Sequence, residues 1–213
     1  MGRPYLITPM KLLRSSAFTL IELLVVISII GILAALALPA ITGALARGQM
    51  TQTMSNMRQL QLATQTYSLD ATTSGDGPAW TTTNNQAMGF TVWQNNLTNG
   101  YLQAQDLAKM LSAPGKTPVN LNQIPVSATL SAVKIFAVGE DDGGNTLFAC
   151  TYNYTPYTAP TTASPSPYKD KGIVVVRKGG DATILRAQQG TNANLVGLGS
   201  TTVGTTNAPT ALQ

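Results

Sequence analysis

The chain has 213 residues, 44% of them hydrophobic and only 10% charged, against roughly 25% charged in an average soluble protein. It has no histidine and one cysteine, which excludes Ser-His and Cys-His nucleophile pairs, an intramolecular disulfide and a structural zinc site. The formal net charge of +4 falls near neutrality once the three basic residues before position 18 are set aside, leaving ten basic against nine acidic side chains, and no basic stripe for nucleic acid remains.

Residues 1–17 read as a leader. They carry Arg3, Lys11 and Arg14, no acid, and end in Ser15, Ser16 and Ala17. Phe18 to Ile41 follows, FTLIELLVVISIIGILAALALPAI, with Glu22 as its one charge. Its 24 residues make a helix of about 36 Å, enough to cross a bilayer core of about 30 Å. Lys11 and Arg14 hold the preceding end in the cytoplasm by the positive-inside rule. A secretory signal peptide cut at Ala35-Leu36-Ala37 is one reading, but its apolar core is usually about 7–15 residues, shorter than this span. A plain single-pass anchor is a second. It accounts for the length but not for the acid, which costs about 2.5–3.5 kcal/mol at a helix centre and less near an end.

A third reading accounts for both. Ala17 followed by Phe18-Thr19-Leu20-Ile21-Glu22-Leu23, a long apolar helix and Pro39 resembles the type IV pilin and type II secretion pseudopilin family. The resemblance implies that a prepilin peptidase cuts between Ala17 and Phe18, leaving 196 of the 213 residues, and that Phe18 is then N-methylated. It implies that Glu22, with Thr19 beside it, serves subunit assembly by attracting a neighbour's N-terminal amine. Pro39 matches the proline that kinks or locally melts the helix in this family. Ala17 stands where the family usually has Gly. The chemistry agrees on its own terms: a buried carboxylate is tolerated when paired, and a lone polar pair sets register as it does in a coiled-coil core. Ser28, Gly31, Ala34 and Ala35 permit close helix approach.

Beyond Pro39, Ile41, Leu45, Met50, Met54, Met57, Leu60, Thr64 and Tyr67 recur at mostly three- and four-residue steps, so residues 42–70 read as an amphipathic helix with one face for a globular domain. Gly43 and Gly48 beside Pro39 suggest a flexible joint near 39–48. The helix is expected to end near Asp70, before ATTSGDGP; unbroken from Phe18, it would be about 80 Å long.

Residues 71–190 read as an α+β head. One or two short helices are expected in 92–111, and Pro114, Pro118 and Pro125 mark a loop. Strands 132–138 and 146–154 flank GEDDGGN, and strands 172–177 and 182–187 flank KGGD, two hairpin signals. Residues 155–167 are expected to be an exposed loop, and 191–213 a flexible Thr, Asn and Gly tail. The fold class is therefore α+β: a long N-terminal helix, transmembrane in its first half, with its second half packed on a small antiparallel sheet.

Few other residues carry chemistry. Glu140, Asp141, Asp142 and Asn145 form the one acidic cluster. Oxygen ligands on a Gly-rich loop suit calcium, and the other reading is a solvated hairpin turn. Otherwise no cofactor is expected. Cys150 in TLFACTY reads as a buried small side chain. Tyr152, Tyr154, Tyr157 and Tyr168 either cover a core edge or contact a partner. No carboxylate pair has a catalytic spacing, so no enzyme is expected. The resemblance implies a filament of like subunits, a prepilin peptidase, an inner-membrane assembly platform and lipid as partners. It places the subunit in a bacterial inner membrane, head outside the cytoplasm, and then in a periplasmic or extracellular filament. The missing cysteine pair tilts this reading toward a type II secretion pseudopilin serving protein export. A type IV pilin for adhesion, twitching motility or DNA uptake is the alternative, and a secreted or membrane-anchored binding module is the alternative of another class.

Overall fold

A computed structural model describes residues 18–75, 80–83, 86–116, 125–197 and 211–212. The leader and Ala17, half of the expected cut site, lie outside the described residues. The chain divides into two compact units, Met1–Gly43 and Ala44–Gln213.

In the first unit the described residues form the beginning of α1, the helix Leu20–Ser74. Apolar side chains point out on all sides and none is buried; Leu20 is 88% exposed and Ile30 59%. Ser28 turns its hydroxyl back to the Leu24 carbonyl at 2.7 Å, and Thr42 does the same to the Pro39 carbonyl at 3.0 Å, so the few polar groups are met by the helix's own backbone. The helical span of α1 includes Pro39, Gly43 and Gly48, and the boundary between the two units falls within 39–48, where a joint was expected.

In the second unit α1 presents Ala46, Met50, Thr53, Met57, Leu60, Gln61, Thr64, Ser68 and Ala71 as its buried face, a stripe of three- and four-residue steps. Leu45, expected in the stripe, is 60% exposed, and Ala46 takes the place beside it. The helix ends at Ser74 rather than near Asp70. Gly75 stops it, taking φ +80°, the left-handed conformation that caps helices and that favours glycine.

A small hairpin, β1 Thr82–Thr83 with β2 Gln86–Ala87, follows. Next come α2 Phe90–Thr98 and α3 Ala104–Met110, the two short helices expected in 92–111. Four strands then form an antiparallel meander: β3 Val133–Ile135, β4 Leu147–Thr151, β5 Ile173–Arg177 and β6 Ala182–Leu185, in that order across the sheet. Both hairpins lie where GEDDGGN and KGGD put them.

β4 and β5 are buried at every position, because both sheet faces are covered. On one face Val133, Ile135, Phe148, Ala149, Val174 and Val176 pack with Met50, Met57 and Leu60 of α1 and with Trp93, Leu97 and Leu107 of α2 and α3. On the other, Phe136, Leu147, Cys150, Ile173, Val175 and Leu185 meet Tyr154 and Val196. Phe148 and Ala149 are consecutive yet share a face, since the register against β5 shifts between Leu147 and Ala149, as a β-bulge does.

The second face is covered by segments expected to be mobile or exposed. Ala187–Thr191 is a 3-10 turn and Ala193–Val196 a short helix, α4. Arg177 holds α4 by donating to the Leu195 carbonyl while pairing with Asp181. Within 155–167, Tyr157 is half-buried and Pro160 and Pro167 are buried, whereas Thr161, Thr162 and Ala163 are exposed. The outer edge of β3 and the residues after it are occupied too. Leu212 N–H donates to the Ile135 carbonyl at 2.8 Å, and Thr81 N–H donates to the Val138 carbonyl at 3.1 Å. Thus the expected free tail does not hold for all of 191–213: 191–197 and 211–212 are packed or paired, and 198–210 and 213 lie outside the described residues.

Candidate functional site

The charged end of the first unit is built by Thr19 and Glu22. Thr19 precedes the first helical residue, where four backbone N–H groups of any helix lack partners. Glu22 Oε2 accepts from the Thr19 backbone N–H at 2.9 Å and from the Thr19 hydroxyl at 2.8 Å. The Glu22 N–H donates in turn to Thr19 Oγ1 at 3.3 Å. This is a reciprocal capping box, and the sequence signal for it, T-x-x-E before an apolar run, is legible. Both bonds to the carboxylate fall on one oxygen. The acid is thus already coordinated within its own chain, with Phe18 beside it 75% exposed. α1 is the one described helix with a stretch long and apolar enough to cross a bilayer.

The acidic loop is held from inside. Asp142 is buried, and its Oδ2 accepts from the Gly139 N–H at 2.7 Å. Glu140 and Asp141 are exposed, as is Asn145. The ammonium of Lys178 donates to the Asp142 carbonyl at 2.7 Å and to the Glu140 carbonyl, and it lies 5.3 Å from the Trp80 ring centroid. Burial pushes the Lys178 pKa down while Asp142, Glu140 and Asp141 push against that shift. A lysine therefore bonds the carbonyl oxygens that a cation in this loop would draw on. No group of three or more His, Cys, Asp or Glu side chains converges among the described residues. Calorimetric titration is expected to give no heat of binding at millimolar calcium; a saturable heat lost in Glu140→Ala would restore the calcium reading.

Of the tyrosines, Tyr154 is fully buried and its hydroxyl donates to the Gly190 carbonyl. Tyr168 shares a hydrogen bond with Thr53 of α1 at 2.8 Å. The half-buried Tyr157 donates to the Gly197 carbonyl at 3.1 Å. These three rings cover core edges, and Tyr152 lies beneath the ammonium of Lys116. Cys150 is fully buried and burial pushes its thiol up to about 12, which leaves it an inert core side chain. Sequence reasoning missed a groove at the start of the second unit where Arg47, Lys171 and Arg186 meet; these residues are far apart in the chain and no local pattern joins them.

Residues 12–38 match the family model of the prokaryotic N-terminal methylation motif. The chain is 43% identical over 82 residues to a type IV major fimbrial protein, FimA, of Dichelobacter nodosus, covering 38% of this chain and 53% of that protein. It is 29% identical over 154 residues to the fimbrial protein EcpC of Eikenella corrodens, covering 70% of this chain and 94% of that protein. The match to FimA thus spans about half of that relative's length. No solved structure matches the chain significantly.

Proposed function

We propose that this chain is a type IV pilin-like structural subunit of a pilus-like filament of the fimbrial kind, a reading supported by its methylation motif and its similarity to fimbrial proteins. The observation that carries this is the relation to a fimbrial protein along 70% of the chain. The subunit waits in the membrane on the Phe18 to Ile41 helix. A prepilin peptidase removes residues 1–17 and methylates Phe18, and a membrane assembly platform then packs the apolar helices side by side. The apolar side chains exposed on every side of α1 from Leu20 to Ile41 support this, since they suit lipid while the subunit waits and the packed side chains of neighbouring helices once it assembles. Glu22 keeps one oxygen on its own Thr19 and offers the other to the ammonium of a neighbouring Phe18. The role is mechanical, with the force supplied by a separate motor.

Mass spectrometry of the mature N-terminus tests the reading. It is expected to show N-methyl-Phe18, whereas a chain starting near Leu38 would mean ordinary secretion. A type II secretion pseudopilin is the second reading, favoured by the lone buried Cys150, which leaves no disulfide loop. Deleting the gene separates the two. Loss of sheared surface filaments with export intact supports the fimbria, and loss of export of a folded protein supports the pseudopilin.

A further inference from the structure

We propose that the heads of successive copies meet end to end, the acidic turn at Glu140 and Asp141 of one copy seating in the groove of Arg47, Lys171 and Arg186 of the next. The inference rests on the filament reading above and adds the surface by which the heads join.

The groove has a volume of about 720 Å³. Met50 and Leu185 form its buried floor, and Arg47, Lys171 and Arg186 line it with Asp170 as the single acid. The one ion pair among the described residues is Arg177–Asp181, so the three cations of the groove are not spent inside the head. The acidic turn lies at the far end of β5. That strand starts beside Gly172, which packs against Met50, and it ends at Lys178, whose carbonyl accepts from Gln61 Nε2 at 2.7 Å. Met50 and Gln61 are eleven residues apart on α1, about 16 Å of helix. The five residues of β5 span a similar distance, about 17 Å.

One end of the head therefore carries an unpaired positive groove and the other an exposed negative turn. Two such ends match each other but neither matches itself. A contact of that kind is head-to-tail, and repeated it grows into an open filament rather than closing into a dimer. Exposed charges also steer and orient such a contact more than they tighten it. A negatively charged lipid surface is the competing occupant of the groove, but it would leave the acidic turn without a partner.

The test is disulfide capture in filaments. Gly143 lies on the acidic turn, where an added Cβ would meet nothing within 4 Å, and Gln188 lines the groove. Cys150 is fully buried and adds no background. The full chain carrying Gly143→Cys with Gln188→Cys is expected to give a ladder of covalent multimers on oxidation, while either substitution alone gives none. In parallel, Glu140→Lys with Asp141→Lys is expected to lower filament yield about tenfold, and adding Arg47→Glu with Arg186→Glu to recover it. Wild-type filaments with neither ladder nor recovery would overturn the inference. If Arg47→Glu with Arg186→Glu instead lowers binding to phosphatidylglycerol vesicles, the lipid surface is the occupant and the end-to-end contact is wrong. Absence of wild-type filaments would overturn the filament reading itself.

Discussion

Glu22→Gln is expected to leave the subunit inserted in the membrane and cut before Phe18, yet to lower filament yield about a hundredfold. The capping box is what makes this substitution informative. Glutamine at the third helical position can accept the Thr19 N–H and hydroxyl bonds as glutamate does, so the helix start is retained and only the charge is lost. On the proposed pairing, burying a neighbour's ammonium without its carboxylate costs about 3–5 kcal/mol, which corresponds to more than about a hundredfold in an equilibrium. Glu22→Ala removes the charge together with the acceptor of the Thr19 N–H and hydroxyl bonds, so it weakens the helix start as well. Sheared filaments quantified against total subunit give the yield, and mass spectrometry confirms the cut. Wild-type yield in Glu22→Gln together with a defect in Glu22→Ala would reduce Glu22 to a helix cap.

Trp93→Ala is expected to destabilise the head by about 3–5 kcal/mol. Trp93 is fully buried between α1 and the sheet. Its indole N–H donates to Thr64 Oγ1 at 3.2 Å, and its ring stacks on Phe90 with centroids 5.6 Å apart. Deleting the ring opens a cavity on three elements at once and strips a hydrogen bond. Trp93→Phe keeps most of the ring and leaves the Thr64 hydroxyl donating to the Leu60 carbonyl at 2.8 Å, so its expected cost is nearer 1 kcal/mol. Chemical denaturation of the full chain in detergent, followed by circular dichroism, measures both. A loss below about 1 kcal/mol in Trp93→Ala would mean that the core closes around the gap.

What was legible in the sequence was local. The T-x-x-E start, the apolar span, the GEDDGGN and KGGD turns and the stripe of Met50, Met57, Leu60 and Thr64 each depend on residues within one or two turns of one another, and the structure places them accordingly. The misses were long-range. The polar stretch after Gly190 resembles a free tail, yet Val196 and Leu212 are buried, and Arg177 fastens α4 from a strand 18 residues away. Leu45 fits the helical period as well as Ala46 does, and only the surface it faces decides between them. The basic groove draws Arg47, Lys171 and Arg186 from α1, a loop and the end of β6, so spacing carries no trace of it.

The outer edge of β3 has a consequence for how the subunit is stored. A strand edge with unpaired N–H and C=O groups is a template for pairing with another chain. Subunits awaiting use would be confined to a flat layer, at densities where such templating runs fast. Leu212 already engages that edge at Ile135, and Thr81 engages Val138, three residues beyond the strand. If subunits wait in a membrane as proposed, crowding in two dimensions would meet a strand edge already taken at Ile135.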